Sequence, residues 1–318
     1  MTQFFKSLAL FSLLALSIGT VHAEPSKIID FLQGFAIRSA DWHERSAIID
    51  GQRIAYFDND NISKPVLVLI HGFGANKENW LTIATKLTAD YHLIAPDLLG
   101  HGQSDKPMDG DYSVLSQSQR VHELLAQLNI HQPAHIVGSS MGGLIAAYFA
   151  ADYPQSTQSL TLMNTAGVDS DDTERVAQTK ADIRAGHFFL LMEKPEDIER
   201  IESVVLYKKT NYPLWLKKLS AKAQIINKPV YWRVLTQGLL NSDLDIRHPL
   251  AQALPRIKAP VFVMWGRQDK VLDVKMVDDI KKYIQPQKIV IYEHVGHAPM
   301  LEAPTQTVAD LKAFLNAN

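Results

Sequence analysis

The stretch His135–Ala150, HIVGSSMGGLIAAYFA, sets two serines and three glycines between a short apolar run and a small-residue helical pattern. Gly138-Ser139-Ser140-Met141-Gly142 fits G-x-S-x-G with Ser140 at its centre. Ser139 is excluded from that place, because Val137 lies two residues before it. A serine on a sharp strand-to-helix turn brings the residues two before and two after it close to neighbouring backbone, where a side chain would clash. Glycine is therefore needed at 138 and 142. Such a turn pushes the hydroxyl outward, near the positive end of the following helix. The plainer alternative is that Ser140 only caps the helix beginning at Met141.

The segments on either side decide between these readings. "PVLVLIHG" and "AHIVGS" are continuous apolar runs of the kind found in strands covered on both faces. "YHLIAPD", "SLTLMN", "PVFVMWG" and "KIVIYE" read as further strands. Helical patterns lie between them at "NWLTIATKLTAD", Ser113 to Leu128, Met141 to Tyr153, Val274 to Ile284 and Thr305 to Asn316. Ahead of this rhythm, Asp50-Gly51 between β-prone runs predicts a hairpin. Buried strands alternating with helices predict an α/β fold: a mostly parallel central sheet with helices on both faces. Ligands bind such sheets at the carboxyl ends of their strands. Residues 169–250 break the pattern with helix-like segments rich in large apolar side chains ("HFFLLM", "YPLWL", "VYW") and no clear strand. They are expected to form a helical cap over that end of the sheet, with 24–168 and 251–318 as the core.

A serine hydroxyl needs a base, and the base needs a third group to orient it, in the chain order Ser, acid, His for this architecture. Four histidines follow Ser140: His187, His248, His294 and His297. The first two fall in or beside the cap. His297 is the expected base, with Gly296 allowing a tight loop and Pro299 delaying the next helix. His294, nearer the strand, is expected to fix that loop. In "MWGRQDKVLD" the expected acid is Asp269, right after a strand; Asp273 fits better as a cap of the next helix. The strand before this one ends in Asn164, which cannot carry the charge. Donors for a developing oxyanion are expected from the N–H of Met141 and of Phe73, the latter between Gly72 and Gly74 in "LIHGFGANKENW". His71 in the same loop is expected to brace it through hydrogen bonds.

The 318-residue chain is 46% hydrophobic and carries a formal charge of −2, so nothing in its overall field points to nucleic acid. It has no cysteine, which excludes disulfides, thiolate metal sites and a cysteine nucleophile. No metal or cofactor is implied, since P-loop, dinucleotide and HExxH patterns are absent. "MTQFFKSLALFSLLALSIGTVHAEP" has one early Lys, a leucine-rich centre and small residues at Val21 and Ala23. This predicts a signal peptide over 1–23, cleaved after Ala23, and a secreted or periplasmic protein. The alternative is an uncleaved N-terminal membrane anchor.

"HGFGANKENW", "APDLLGHGQSDKP", "GSSMGG", "MWGRQDKVLDV" and "VGHAPMLEAP" come in an order and at separations that resemble the α/β-hydrolases, from about Pro65 to the C-terminus. Within that superfamily the chain is most similar to secreted bacterial lipases and to monoacylglycerol lipases. The resemblance implies ester hydrolysis of acylglycerols or related lipid esters through Ser140, Asp269 and His297, with oxyanion donors at Phe73 and Met141. It also implies a lipid or small ester as substrate, with transient contact between cap and lipid surface. Two alternatives share the fold: a carbon–carbon bond hydrolase, and a short-chain carboxylesterase without lipase activity. A non-catalytic relative is a third.

Overall fold

Asp50 and Gly51 adopt φ of 51° and 71°, the paired left-handed turn that matches the twist of two flanking strands. They join β1 (His43–Ile49) to β2 (Gln52–Asp58), antiparallel as predicted. A computed structural model describes residue 37 and residues 41–167, 173–211, 213–237 and 249–318. The segment read as a signal, His248, and residues 169–172, 212 and 238–247 of the expected cap lie outside the described residues.

The chain continues through β3 (Val66–Ile70), a single 3-10 turn at Lys77–Trp80, α1 (Leu81–Ala84), β4 (His92–Pro96), α2 (Val114–Gln127), β5 (Ala134–Ser139), α3 (Met141–Asp152) and β6 (Thr157–Met163). The insertion holds α4 (Thr173–Arg184), α5 (Asp197–Val205), α6 (Leu214–Ile226) and α7 (Lys228–Leu235), with no strand among the described residues. Then follow α8 (Pro249–Ala253), β7 (Val261–Gly266), α9 (Met276–Lys281), β8 (Lys288–Tyr292), α10 (Pro299–Glu302) and α11 (Pro304–Leu315).

The eight strands form one sheet in the order β1-β2-β4-β3-β5-β6-β7-β8. β1 and β2 are antiparallel, and the pairs from β4 to β8 are parallel. After β3 the chain steps to one side to make β4, then returns to the other side to make β5. The strand order thus reverses at β3, and a crevice opens between the loops leaving β3 and β5. All residues of β3 and β5 are buried. Alternation divides them between two cores: Val66, Val68 and Ile70 face one, Leu67 and Leu69 the other. β7 repeats the pattern, with Val263 and Trp265 on the first side and Phe262 and Met264 on the second. α2 and α3 cover the first face, and α1 and α11 the second.

α3 is buried at every position from Gly142 to Ala151. It lies against β5, β6, α2 and α8, which accounts for its small, uniformly apolar composition. The "NWLTIATKLTAD" pattern makes less helix than predicted. Trp80, Ile83, Ala84 and Leu87 are buried at helical spacing, but β-branched Thr82, Ile83 and Thr85 and the 3-10 entry restrict α-helix to one turn. Leu250 N–H donates to the Gly167 carbonyl at 3.0 Å, which joins the described chain on either side of residues 168–249.

Candidate active site

Ser140 follows β5 directly and has φ 55° and ψ −121°, a strained conformation for a residue bearing a Cβ. Four backbone bonds hold it. Its N–H donates to Met163 O at 3.0 Å, and its carbonyl accepts from Gly143 at 2.9 Å, Ala166 at 3.0 Å and Leu144 at 3.3 Å. Its side chain makes no capping bond to α3, so the plainer reading of Ser140 as a helix cap does not hold. The flanking glycines are there for space. A Cβ on Gly138 would lie 2.1 Å from Gly142 O, and one on Gly142 would lie 2.3 Å from Ile70 O. Both obstacles are backbone and cannot yield. Gly142→Ala is therefore expected to lower the unfolding free energy by about 3 kcal/mol or more. A urea titration matching that of the unaltered chain would contradict this packing.

The loop after β8 carries His297, which is 8% exposed. Its Nδ1 lies 2.7 Å from Asp269 Oδ2. Asp269 sits three residues past the end of β7 and accepts three further bonds. Val271 N–H at 2.8 Å and Leu272 N–H at 2.9 Å reach Oδ1, and Asn164 Nδ2 reaches Oδ2 at 2.6 Å. An acceptor-only carboxylate opposite Nδ1 assigns the ring proton to Nδ1 and leaves a lone pair on Nε2. Asp273 does not cap the next helix as expected: Lys275 holds the cap position of α9, and the Asp273 carboxylate accepts the Lys275 N–H at 2.9 Å in the turn before it.

Asn164 links the two halves of the site. It follows Met163, the residue that holds the Ser140 N–H, and its Nδ2 also reaches Gly296 O at 3.3 Å. Asn164 thus ties the Asp269–His297 pair to the end of β6, the strand that holds the Ser140 N–H, at the carboxyl edge of the sheet. Ser140 and His297 are not hydrogen-bonded to each other here; such contacts are often long without substrate and tighten on binding. His187 lies just past α4, and the His294 ring lies tilted at 35° to that of Tyr207, with centroids 5.5 Å apart.

Two expectations about the His297 loop are corrected. Pro299 opens α10 at its first position, where the missing N–H is no loss and the fixed φ suits a helix. Gly296 has no positive φ. Its lack of a side chain is instead needed because a Cβ there would lie 2.7 Å from Val205 O and 2.8 Å from Tyr207 N.

On the opposite side of Ser140 lies the loop after β3. His71 braces it as expected: Nδ1 donates to Gly72 O at 2.8 Å, and Nε2 accepts from Leu98 N–H at 3.0 Å. Burial pushes its pKa down, which keeps the ring neutral for both bonds. Among the described residues, neither the Phe73 nor the Met141 N–H donates to a carbonyl or side chain. The far end of this loop is anchored by Lys77, which is fully buried. Its Nζ meets Asp97 Oδ2 at 2.9 Å, and its N–H meets Oδ1 at 2.8 Å. Burial by itself would raise the Asp97 pKa, but the Lys77 charge, with the backbone N–H groups of Gln103 and Lys77, holds it below the usual carboxylate range. His101 in the neighbouring loop is pushed down to about 3, mainly by burial. It stays neutral, with its ring 6.2 Å from that of Phe73.

The insertion touches both loops. The Phe73 ring meets Phe188 and Tyr231 edge-on at 5.8 and 5.7 Å. Gln224 Nε2 donates to Gly74 O at 2.8 Å. Val205 O accepts the His297 N–H at 2.7 Å.

Residues 65–304 match the family described as alpha/beta hydrolase fold. "Lipase 3" of Moraxella sp. (strain TA144) is 36% identical over 267 residues, covering 84% of this chain and 82% of that one. Human "Monoacylglycerol lipase ABHD6" is 28% identical, covering 79% and 75% of the two chains. A solved structure described as a membrane phospholipase A superposes with a TM-score of 0.85 at 33% identity, covering 98% of this chain and 97% of that one. A meta-cleavage product hydrolase superposes with a TM-score of 0.72 at 21% identity, covering 86% and 98%, a likeness of fold alone. With its sheet order, its serine turn and these relatives in agreement, the chain belongs to the alpha/beta hydrolase fold family.

Proposed function

We propose that this chain is a serine carboxylic ester hydrolase acting on acylglycerols or related lipid esters. The observation that carries the reading is the Asp269–His297 pair at 2.7 Å, joined through Asn164 to a strained, uncapped serine. The lipase relatives support the ester-hydrolase class. In the proposed cycle His297 Nε2 takes the Ser140 proton as Oγ attacks the ester carbonyl, and Asp269 stabilises the imidazolium. The free N–H groups of Phe73 and Met141 accept charge on the tetrahedral oxyanion, each worth about 10²- to 10³-fold in rate. The protonated ring then gives its proton to the leaving alcohol. Water repeats the sequence on the acyl-enzyme, restoring Ser140 and releasing the acid.

The insertion serves as the cap and acyl-binding wall. Phe73, Phe188, Tyr231, Leu191 and Leu235 form an apolar cluster beside the oxyanion loop, suited to a fatty chain. Contact with a lipid surface is supported by one face of α6. Leu214, Trp215 and Ile226 are exposed there, Trp215 by 48% and Ile226 by 76%. Lys218 and Lys222 lie between them on the same face, a pattern suited to lying at a lipid–water boundary. Export, by the N-terminal segment, belongs to the same proposal. Among the described residues no helix is long and apolar enough to cross a membrane.

Kinetics across tributyrin, a long-chain monoacylglycerol and soluble p-nitrophenyl esters test the reading. The expected result is long-chain turnover with a rate that rises once substrate exceeds its solubility. Saturation below solubility, on short acyl chains alone, would replace it by a plain esterase. Turnover of a vinylogous 1,5-diketone without any ester turnover would move the chain to carbon–carbon cleavage.

A further inference from the structure

The loop bearing His297 exposes three successive N–H groups, of Gly296, His297 and Ala298, and each finds an acceptor. Glu302 Oε1 takes the Gly296 N–H at 2.9 Å and the Ala298 N–H at 3.4 Å. Val205 O takes the one between. The other oxygen, Glu302 Oε2, takes the Tyr207 N–H at 2.6 Å. One carboxylate, on the last residue of α10, thus grips the base-bearing loop with one oxygen and the insertion with the other. The fit is close on both sides: a Cβ on Gly296 would touch Val205 O, Tyr207 N and Glu302 Oε1 within 3.1 Å. Ionised acceptors make the stronger hydrogen bonds to backbone N–H groups, so removing this side chain would release loop and insertion together.

We propose that Glu302 is a positioning residue, which fixes the His297 ring for proton transfer and makes that placement depend on how the 205–207 segment of the insertion is seated. The proposal rests on the serine-hydrolase reading above, and it adds a physical link from cap to base. A substrate or surface that shifts the 205–207 segment pulls on the same carboxylate that sets the His297 loop, so cap position and basicity at Nε2 change together. Among the described residues the hydrogen bond from His297 to the insertion is made by its backbone N–H, and Asp269 orients its ring through Nδ1. Asn164 and Gln268 hold the same loop at Gly296 O and Val295 N–H, and Glu302 holds it at the Gly296 and Ala298 N–H groups, from a position that touches no reacting atom.

The test uses the full chain and two variants, Glu302→Ala and the nearly isosteric Glu302→Gln. Each is assayed on a soluble p-nitrophenyl ester, and competent serines are counted by complete reaction with a fluorophosphonate. In Glu302→Ala, kcat per labelled serine is expected to fall about 10- to 100-fold with KM changed less than about 3-fold, as for a misplaced base. Glu302→Gln is expected to fall between: its carbonyl oxygen still accepts from Gly296 and Ala298, while its amide opposes the Tyr207 N–H. It also decides the matter if the alanine variant does not fold. A lowered Tm with kcat per labelled serine equal to that of the unaltered chain overturns the proposal and reduces Glu302 to a brace of the fold. An unaltered chain inert toward ester and probe alike would sink the hydrolase reading and this coupling with it. Normal turnover in the unaltered chain and in both variants sinks the coupling alone.

Discussion

Ser140→Ala is expected to lower kcat on a soluble p-nitrophenyl ester by about 10⁴- to 10⁶-fold. The hydroxyl is the only atom removed. Alanine keeps the Cβ that already bears the strain at φ 55°, and Ser140 Oγ makes no capping bond whose loss would loosen α3. Stability should therefore hold, with a Tm within about 2–4 °C of the unaltered chain. Fluorophosphonate labelling should vanish with the turnover. A variant that keeps a tenth of the activity, with normal folding, would show that the bond is broken elsewhere.

Asp269→Asn is the second large effect, about 10⁴-fold in kcat. Its size follows from the crowding of donors around the carboxylate. Oδ1 faces the N–H groups of Val271 and Leu272, and Oδ2 faces His297 Nδ1 and Asn164 Nδ2. An amide has a single oxygen. Placed with its NH₂ toward Val271 and Leu272, it sets donor against donor. Placed the other way, it confronts Asn164 and forces the His297 proton onto Nε2, where the ring can no longer take one from Ser140. Either arrangement also leaves a buried polar group unpaired, at a cost of about 1–3 kcal/mol. The variant should thus unfold at lower urea concentration as well as turn over slowly. Activity above a tenth of normal would remove Asp269 from the mechanism and bring Asp273 forward.

Much of this was legible because its causes are local. Asp50-Gly51 encodes its own turn, and Gly138 and Gly142 answer to backbone within one strand-to-helix junction. The apolar runs of β3, β5 and β7 follow from burial on both faces. What escaped the sequence depends on partners far along the chain. Asn164 stands where an acid was sought and rejected, yet its amide supports the acid 105 residues away. Glu302 has no role in the sequence reading, because its partner Tyr207 lies 95 residues away. Gly266, an ordinary strand end in the sequence, has no room for a side chain because Gly296 O would lie 1.9 Å from its Cβ. Lys77 gave no sign that it is buried beneath its own loop. Pro299 carried an ambiguous signal, since proline both halts a helix and starts one, and only the position of α10 decides which.

The bond between Leu250 and Gly167 carries a consequence for descent and for engineering. A segment whose two ends are clasped together is a cassette: its length and composition can be exchanged between relatives while β6 and β7 keep their register. Chain-length preference can then diverge by swapping that cassette, provided the incoming one supplies a carbonyl and an N–H where Val205 and Tyr207 now stand.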